Sequence, residues 1–280
     1  MFKSNFILLG FAFLFILISF QGCTFRSDNC NLIDDTAPFS PQGVYSVSGD
    51  GKIYIEWYAN QEKDLKGYIV YRSSERDRGY KEITKISSNS YIDTDVRNGN
   101  TYYYAVSAFD YDGNESPLSY KISDTPRPEG NNVRLTDYII NPRFTGFDFN
   151  DPDRGAQMYD WERPNLYNYI DIYFGVDTAV SVPYIYSDND TLIQDLGYTD
   201  SMDEVDMSPT KGFTTLFVEA ITGHTYAFLT PEGNYAKIRI TDLYVDWAGN
   251  TVRDAWVKFD WAFQLQKGNP DLAPKNILGK

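Results

Sequence analysis

From about residue 38 the chain repeats one pattern. Short runs in which apolar and polar side chains alternate are separated by clusters of Gly, Asn and Asp. Lys52-Ile-Tyr-Ile-Glu-Trp-Tyr58 sets Ile53, Ile55 and Trp57 on one face, as a period of two requires in a half-buried strand. Gly67–Arg72, Tyr80–Thr84, Ser90–Thr94 and Thr101–Ala108 follow, with turns at Gly49-Asp50-Gly51, Asn98-Gly99-Asn100 and Asp112-Gly113-Asn114. Strand signals at this spacing point to a sandwich rather than a helical bundle. Aromatic residues make up 16% of the chain, 23 of them Tyr and 18 Phe, and such side chains favour pleated surfaces. The expected fold class is all-β.

Ser123–Asn132 is rich in Pro, Gly and polar residues, which predicts a linker over 126–134. Beyond it Tyr167–Phe174 alternates and Val182–Tyr186 is a short strand, while Thr214–Ala220 reads as a strand or a short helix. His224–Thr230, the turn Pro231-Glu-Gly-Asn234 and Tyr235–Thr241 form a hairpin with Ala236, Ile238 and Ile240 on one face and Lys237 and Arg239 on the other. Asp246–Asn250 turns into Val252–Leu265, the closing strand or strands. The expected organisation is a sandwich over 38–125, a second and mostly antiparallel β domain over 135–272, and a tail over 273–280.

The N-terminus carries Lys3, a nearly unbroken apolar run from Phe6 to Phe20, and then Gln21-Gly22-Cys23. The run has the length of an export signal and is short for a membrane span. The segment resembles a bacterial lipobox, departing from the strict pattern at Phe20 and Gln21. The resemblance implies a signal peptide over 1–22 and lipid attachment at Cys23. Thr24 follows, with no Asp at the position that commonly retains such proteins at the inner membrane, so the expectation is an outer-membrane or cell-surface lipoprotein whose membrane partner is reached through its anchor. Acyl chains contribute about 0.8 kcal/mol per buried CH₂. Residues 23–37 read as a polar tether, in which Cys30 has no assigned role. Two cysteines build no disulfide framework.

Pro38, Pro41, Trp57, Asp64-Leu-Lys-Gly-Tyr-Ile-Val-Tyr-Arg72, Tyr91-Ile-Asp-Thr94, Tyr102 with Val106 and Ala108, and Gly113-Asn-Glu-Ser116 together resemble a bacterial fibronectin type III domain. The resemblance implies that Trp57 fills the space between two sheets and that the Tyr102 hydroxyl reaches backbone at a corner. The second half resembles the HmuY family of haem-binding surface lipoproteins. The hairpin from His224 to Ile240 carries most of that likeness. That family holds haem between two His or two Met, whereas this chain has a single His, His224, in the turn Thr222–Thr225. Met202 and Met207, in a polar loop, complete the candidate haem ligands that the resemblance implies.

A formal charge of −14 argues against a nucleic-acid partner. One His leaves no His-based triad and no multi-histidine zinc site. Gly-x-Ser-x-Gly, Walker and dinucleotide motifs are absent from the sequence. The acidic runs Asp148–Asp153 and Tyr186–Thr191 hold oxygens suited to Ca²⁺ but lack EF-hand spacing; they read as solvated loops. The expected function is therefore a non-catalytic, lipid-anchored binding or surface-assembly protein with a protein or small-molecule ligand. Haem or small-ligand capture by the second domain is one alternative. Carbohydrate binding through Trp161, Trp247, Trp256 or Trp261 is the other.

Overall fold

The computed structural model describes residues 35–151, 155–161, 170–214 and 216–272. The expected signal peptide, Cys23, Cys30 and most of the expected tether lie outside the described residues, as do 152–154, 162–169 and the expected tail.

Residues 42–124 form seven strands: β1 (Gln42–Gly49), β2 (Lys52–Tyr58), β3 (Leu65–Ser73), β4 (Lys81–Ile86), β5 (Ser90–Asp93), β6 (Tyr102–Asp110) and β7 (Ile122–Asp124). They pair antiparallel into two sheets, β1-β2-β5 and β4-β3-β6-β7, the strand order of a fibronectin type III-like sandwich. The alternation in β2 has the expected consequence, because Ile53, Ile55 and Trp57 are buried while Tyr54 and Tyr58 face outward. Trp57 packs edge-on against Tyr68 with ring centroids 5.2 Å apart. The Tyr102 hydroxyl accepts the Arg97 amide at 3.0 Å, the corner contact that the resemblance implied. Tyr104, two residues on and fully buried, donates its hydroxyl to Asp93, which also holds Arg72.

Ten more strands build the second half: β8 (Glu129–Thr136), β9 (Gly146–Asp151), β10 (Gly155–Tyr159), β11 (Ile172–Asp177), β12 (Val182–Ser187), β13 (Leu192–Tyr198), β14 (Phe217–Glu219), β15 (His224–Leu229), β16 (Tyr235–Ala248) and β17 (Thr251–Phe263). Among the described residues they form two five-stranded sheets, β10-β9-β11-β12-β14 and β13-β15-β16-β17-β8. Phe147, Phe149 and Phe174 from the first sheet meet Tyr226, Phe228, Ile238, Phe259 and Trp261 from the second in one apolar cluster. Burying side chains of this size stabilises by roughly 1.5–3 kcal/mol each.

Two expectations need correction, and one residue sits where expected but in an unexpected environment. The linker over 126–134 is strand β8 from Glu129 onward, paired antiparallel with β17. Gly130 there provides clearance rather than a hinge, because a Cβ would lie 2.5 Å from the Trp261 indole nitrogen. His224 opens strand β15 rather than sitting in a turn. Lys237 faces away from Ile238, as the alternation requires, yet it is fully buried. A strap over residues 199–208 crosses that outer face. Lys237 donates to the Met202 and Val205 carbonyls at 2.7 and 3.0 Å, and Arg239 to the Thr199 carbonyl at 2.7 Å.

Candidate functional site

The outward face of β11, β12 and β14 is aromatic where a solvated sheet would be polar. On β11 Ile172, Phe174 and Val176 point into the core, so Tyr173 and Gly175 point out. On β12 Ile185 is the inward residue, leaving Tyr184 and Tyr186 outside; on β14 Val218 packs inward and Phe217 outward. Register then aligns the rings, because Tyr173 pairs with Tyr186 and Tyr186 with Phe217. The result is a row across three strands. The Tyr173 and Tyr186 rings are 4.8 Å apart and nearly parallel, at 8°, the separation of neighbouring strands. Trp161 extends the row beyond Tyr173 at 4.7 Å, and Phe217 closes its other end 5.7 Å from Tyr186 and 4.9 Å from Tyr184.

Tyr138 is seated on the row by an absent side chain. Its ring lies where a Cβ on Gly175 would stand, 2.5 Å away, and touches Trp161 and Tyr173 at 5.1 and 5.3 Å. Its amide donates to the Phe174 carbonyl at 3.2 Å, which fixes the backbone beside β11. Burial, with neighbouring tyrosines and acids, pushes the Tyr173 and Tyr186 hydroxyls up to about 12. Both stay protonated at neutral pH and remain available as donors. Phe217 is 47% exposed. Apolar rings carrying polar tips suit a ligand that is itself apolar on one face and hydroxylated at its edge.

The expected site residues are distributed differently. Of the four candidate tryptophans, Trp161 belongs to the row, Trp261 is core at 7% exposure, and Trp247 packs against the core. Trp256 lies on the outer face of the other sheet, between Tyr244 and two cations. The imidazole Nδ1 of His224 meets Asp195 at 3.1 Å, and the ring lies 6.2 Å from Tyr226. His224 therefore shares the inward face with Tyr226, whereas Met202 lies on the strap that Lys237 holds against the outward face. Met207 is exposed and bridges to Asp271. The sheet thus separates His224 from Met202 and does not bring them together on one ligand. Of the acidic runs, Asp148 is raised to about 7 by burial. Among the described residues no group of three or more His, Cys, Asp or Glu converges in a way that could hold a metal.

Tyr138, Tyr173, Tyr184, Tyr186 and Phe217 are absent from the residues that sequence reading singled out. A signal for two of them was present: Val182-Pro-Tyr-Ile-Tyr186 is apolar or aromatic on both faces of a strand, which leaves one aromatic face without a core to enter. Tyr138 and Phe217 gave no such signal, because only the register and the gap at Gly175 bring them to the row.

No family model matches the chain. Over 87 residues it is 41% identical to an amylopullulanase of Thermoanaerobacterium saccharolyticum, covering 31% of this chain and 7% of the relative. Over 98 residues it is 32% identical to exoglucanase B of Cellulomonas fimi, covering 34% of this chain and 8% of the relative. The chain thus spans less than a tenth of the length of the curated relatives it matches. Among solved structures it is similar to a Fn3-like protein from Clostridium thermocellum, with 30% identity and a TM-score of 0.29 over 34% of this chain and all of the other. It is likewise similar to a beta-1,2-glucanase from Parabacteroides distasonis, with 30% identity and a TM-score of 0.31 over 34% of this chain and 13% of the other. The fold assignment rests on strand order and register.

Proposed function

We propose that the chain is a non-catalytic glycan-binding lipoprotein, moored outside the cytoplasm through Cys23 and holding a neutral saccharide on the row from Trp161 to Phe217. The observation that carries this reading is the in-register alignment of Tyr173, Tyr186 and Phe217 on a face that a solvated sheet would leave polar. Sugar rings present C–H faces to aromatic rings and hydroxyls to phenolic edges, so the row supplies both halves of such a contact. Similarity to segments of proteins named amylopullulanase and exoglucanase supports a glucan as the ligand class. The apolar run from Phe6 to Phe20, followed by Gln21-Gly22-Cys23, supports export and lipidation, with the outer membrane or cell surface as destination. The fibronectin type III-like sandwich stands between that anchor and the row in sequence.

Calorimetric titration of the full chain in detergent with malto- and cello-oligosaccharides tests the reading. Binding is expected to one series, weakened about tenfold or more in Tyr186→Ala, since a stacked aromatic contact contributes about 0.5–1.5 kcal/mol beyond its buried area. Unchanged affinity in Tyr186→Ala and Tyr173→Ala would remove the row from the function. Mass spectrometry of the membrane fraction tests the anchor, with a diacylglyceryl-modified Cys23 at the N-terminus as the expected result.

A further inference from the structure

A second cluster lies on the opposite outer face of the same sandwich and on the free edge of β8. Strand register places Arg134 opposite Lys258, Thr136 opposite Trp256, and Tyr244 opposite Trp256. The Arg134 guanidinium lies 4.7 Å from the Trp256 ring centroid and the Lys258 ammonium 4.8 Å from it, while Tyr244 stacks on the same indole at 5.6 Å and 21°. Lys258 has a carboxylate, Asp242, at 3.9 Å. Arg134 has none within ion-pair distance among the described residues. In a chain of net charge −14, an exposed arginine that lies over an indole and has no such partner keeps its donor fork open to an incoming anion.

Arg134 also lines a cleft of about 580 Å³ along the edge of β8, with Asn131, Asn132 and Asn141 on its rim and Phe144 and Met158 on its apolar side. Phe144 and Met158 are 53% and 43% exposed. The Thr136 hydroxyl is already committed to the carbonyls of Asn141 and Arg143. The side chains of Asn131, Asn132 and Asn141 have no hydrogen-bond partner among the described residues. The Asn132 backbone amide donates to the nearby acid Asp260 at 2.9 Å.

We infer that this cleft binds a carboxylate-bearing saccharide, with a uronate carboxylate on Arg134, hydroxyls on the three carboxamides, and the sugar's C–H face against Phe144 and Met158. The guanidinium is planar and already placed over the Trp256 ring, so it offers two parallel N–H donors to one carboxylate with reduced ordering cost. Amides donate and accept at neutral charge and so suit hydroxyls. The volume lies within the ordinary range for a small-ligand site. Repulsion from the rest of the acidic chain is screened beyond about 8 Å at physiological salt, so the local arrangement governs the contact. This site is independent of the tyrosine row and of the neutral glycan proposed for it.

The test uses the full chain in detergent, titrated with oligogalacturonate, a neutral cello-oligosaccharide and polyglutamate, read by calorimetry and tryptophan fluorescence. Oligogalacturonate is expected to bind, to quench fluorescence and to weaken as salt is raised. Arg134→Ala should weaken it about tenfold or more, as loss of a hydrogen bond to a charged group implies, and Arg134→Lys should fall between. Asn141→Ala should weaken it several-fold. Tyr186→Ala should leave it unchanged, so failure here and failure of the neutral-glycan reading are separable. Arg134 is exposed, and an unchanged melting temperature shows that the variants fold. Absence of uronate binding at millimolar concentration, or binding indifferent to Arg134→Ala, would overturn the site. Equal binding of polyglutamate would overturn its saccharide character.

Discussion

Lys237 and Asp171 show how a residue's pattern position and its chemistry come apart. Alternation puts Lys237 on the outward face of β16, but the strap over 199–208 covers that face, so its ammonium is fully buried. Desolvation, reinforced by Arg127, brings it down to about 7 despite Asp203, Asp206 and Glu129 nearby. The unfolded chain then binds the proton more tightly than the folded one between about pH 7 and 10.5, so stability rises with pH across that window. Lys237→Met removes this slope and leaves the Met202 and Val205 carbonyls without their donor, a loss of about 1–3 kcal/mol. Denaturant unfolding should therefore show the variant clearly weaker at pH 10, with the gap closing towards pH 7. Parallel curves would contradict the buried ammonium. Asp171 runs the other way. Burial raises it to about 6, although the Phe149 amide and the Thr191 hydroxyl both donate to it. The folded state holds that proton more tightly, so its contribution is lost as pH rises from about 4 through 6. In Asp171→Asn that fall should be absent from the melting temperature measured over the same range. Neither shift was legible in the sequence, because each depends on what covers the side chain and not on its place in a strand.

At the scale of elements, legibility followed how a strand meets the core. β2, β5 and β12 bury one face, and their alternation located them nearly to the residue. β8 was hidden because Pro126, Pro128 and Gly130 read as punctuation, although Gly130 is there so that Trp261 can approach. β9, β10 and β13 gave no clear run; Gly146, Gly155 and Gly197 interrupt them or stand at their ends, and their places come from pairing, β10 with β9, β9 with β11 and β13 with β15. The aromatic row was half legible for the same reason: Tyr184 and Tyr186 declare themselves within β12, but the alignment of Tyr173, Tyr186 and Phe217 is a property of register, which a one-residue slip would destroy. Gly175 tests this at the level of the strand. Its backbone is not in the left-handed region, so Gly175→Ala carries no conformational penalty and acts only through its Cβ, which would meet the Tyr138 ring at 2.5 Å. Displacing that ring should cost about 1–3 kcal/mol, as overpacking does, and weaken neutral-oligosaccharide binding several-fold. A variant that keeps both the wild-type melting temperature and affinity would show that Tyr138 is not part of the row.

Across the whole molecule, the described residues belong to one compact unit that begins at Asp35, and the junction of its two sandwiches is built rather than tethered. The Gln266 amide, just past β17, donates to the Gly99 carbonyl at 3.0 Å and to the Thr101 hydroxyl at 3.1 Å. The Gly99 amide donates to the Pro126 carbonyl at 2.8 Å, and a Cβ at Gly99 would press on Leu265 at 3.1 Å. Arg127, 1% exposed, lies where β7 gives way to β8, with Glu129 at 3.8 Å and the half-closed acid Asp124 in its field. A buried arginine among carboxylates is a weak source of net stability, but removing it strands its partners, and breaking such a pair costs about 3–5 kcal/mol; the partial exposure of Glu129 places the expected loss below that range. The junction therefore predicts cooperativity. Calorimetry of the full chain should give one heat-absorption peak with van't Hoff and calorimetric enthalpies in agreement. Arg127→Ala should broaden it or split it into two, with the fibronectin type III-like sandwich and the second sandwich melting apart. Two separated peaks in the unaltered chain would mean that the contacts of Gln266, Gly99 and Arg127 do not couple the sandwiches, and that the proposed glycan-binding faces are carried on a unit free to swing relative to the first sandwich.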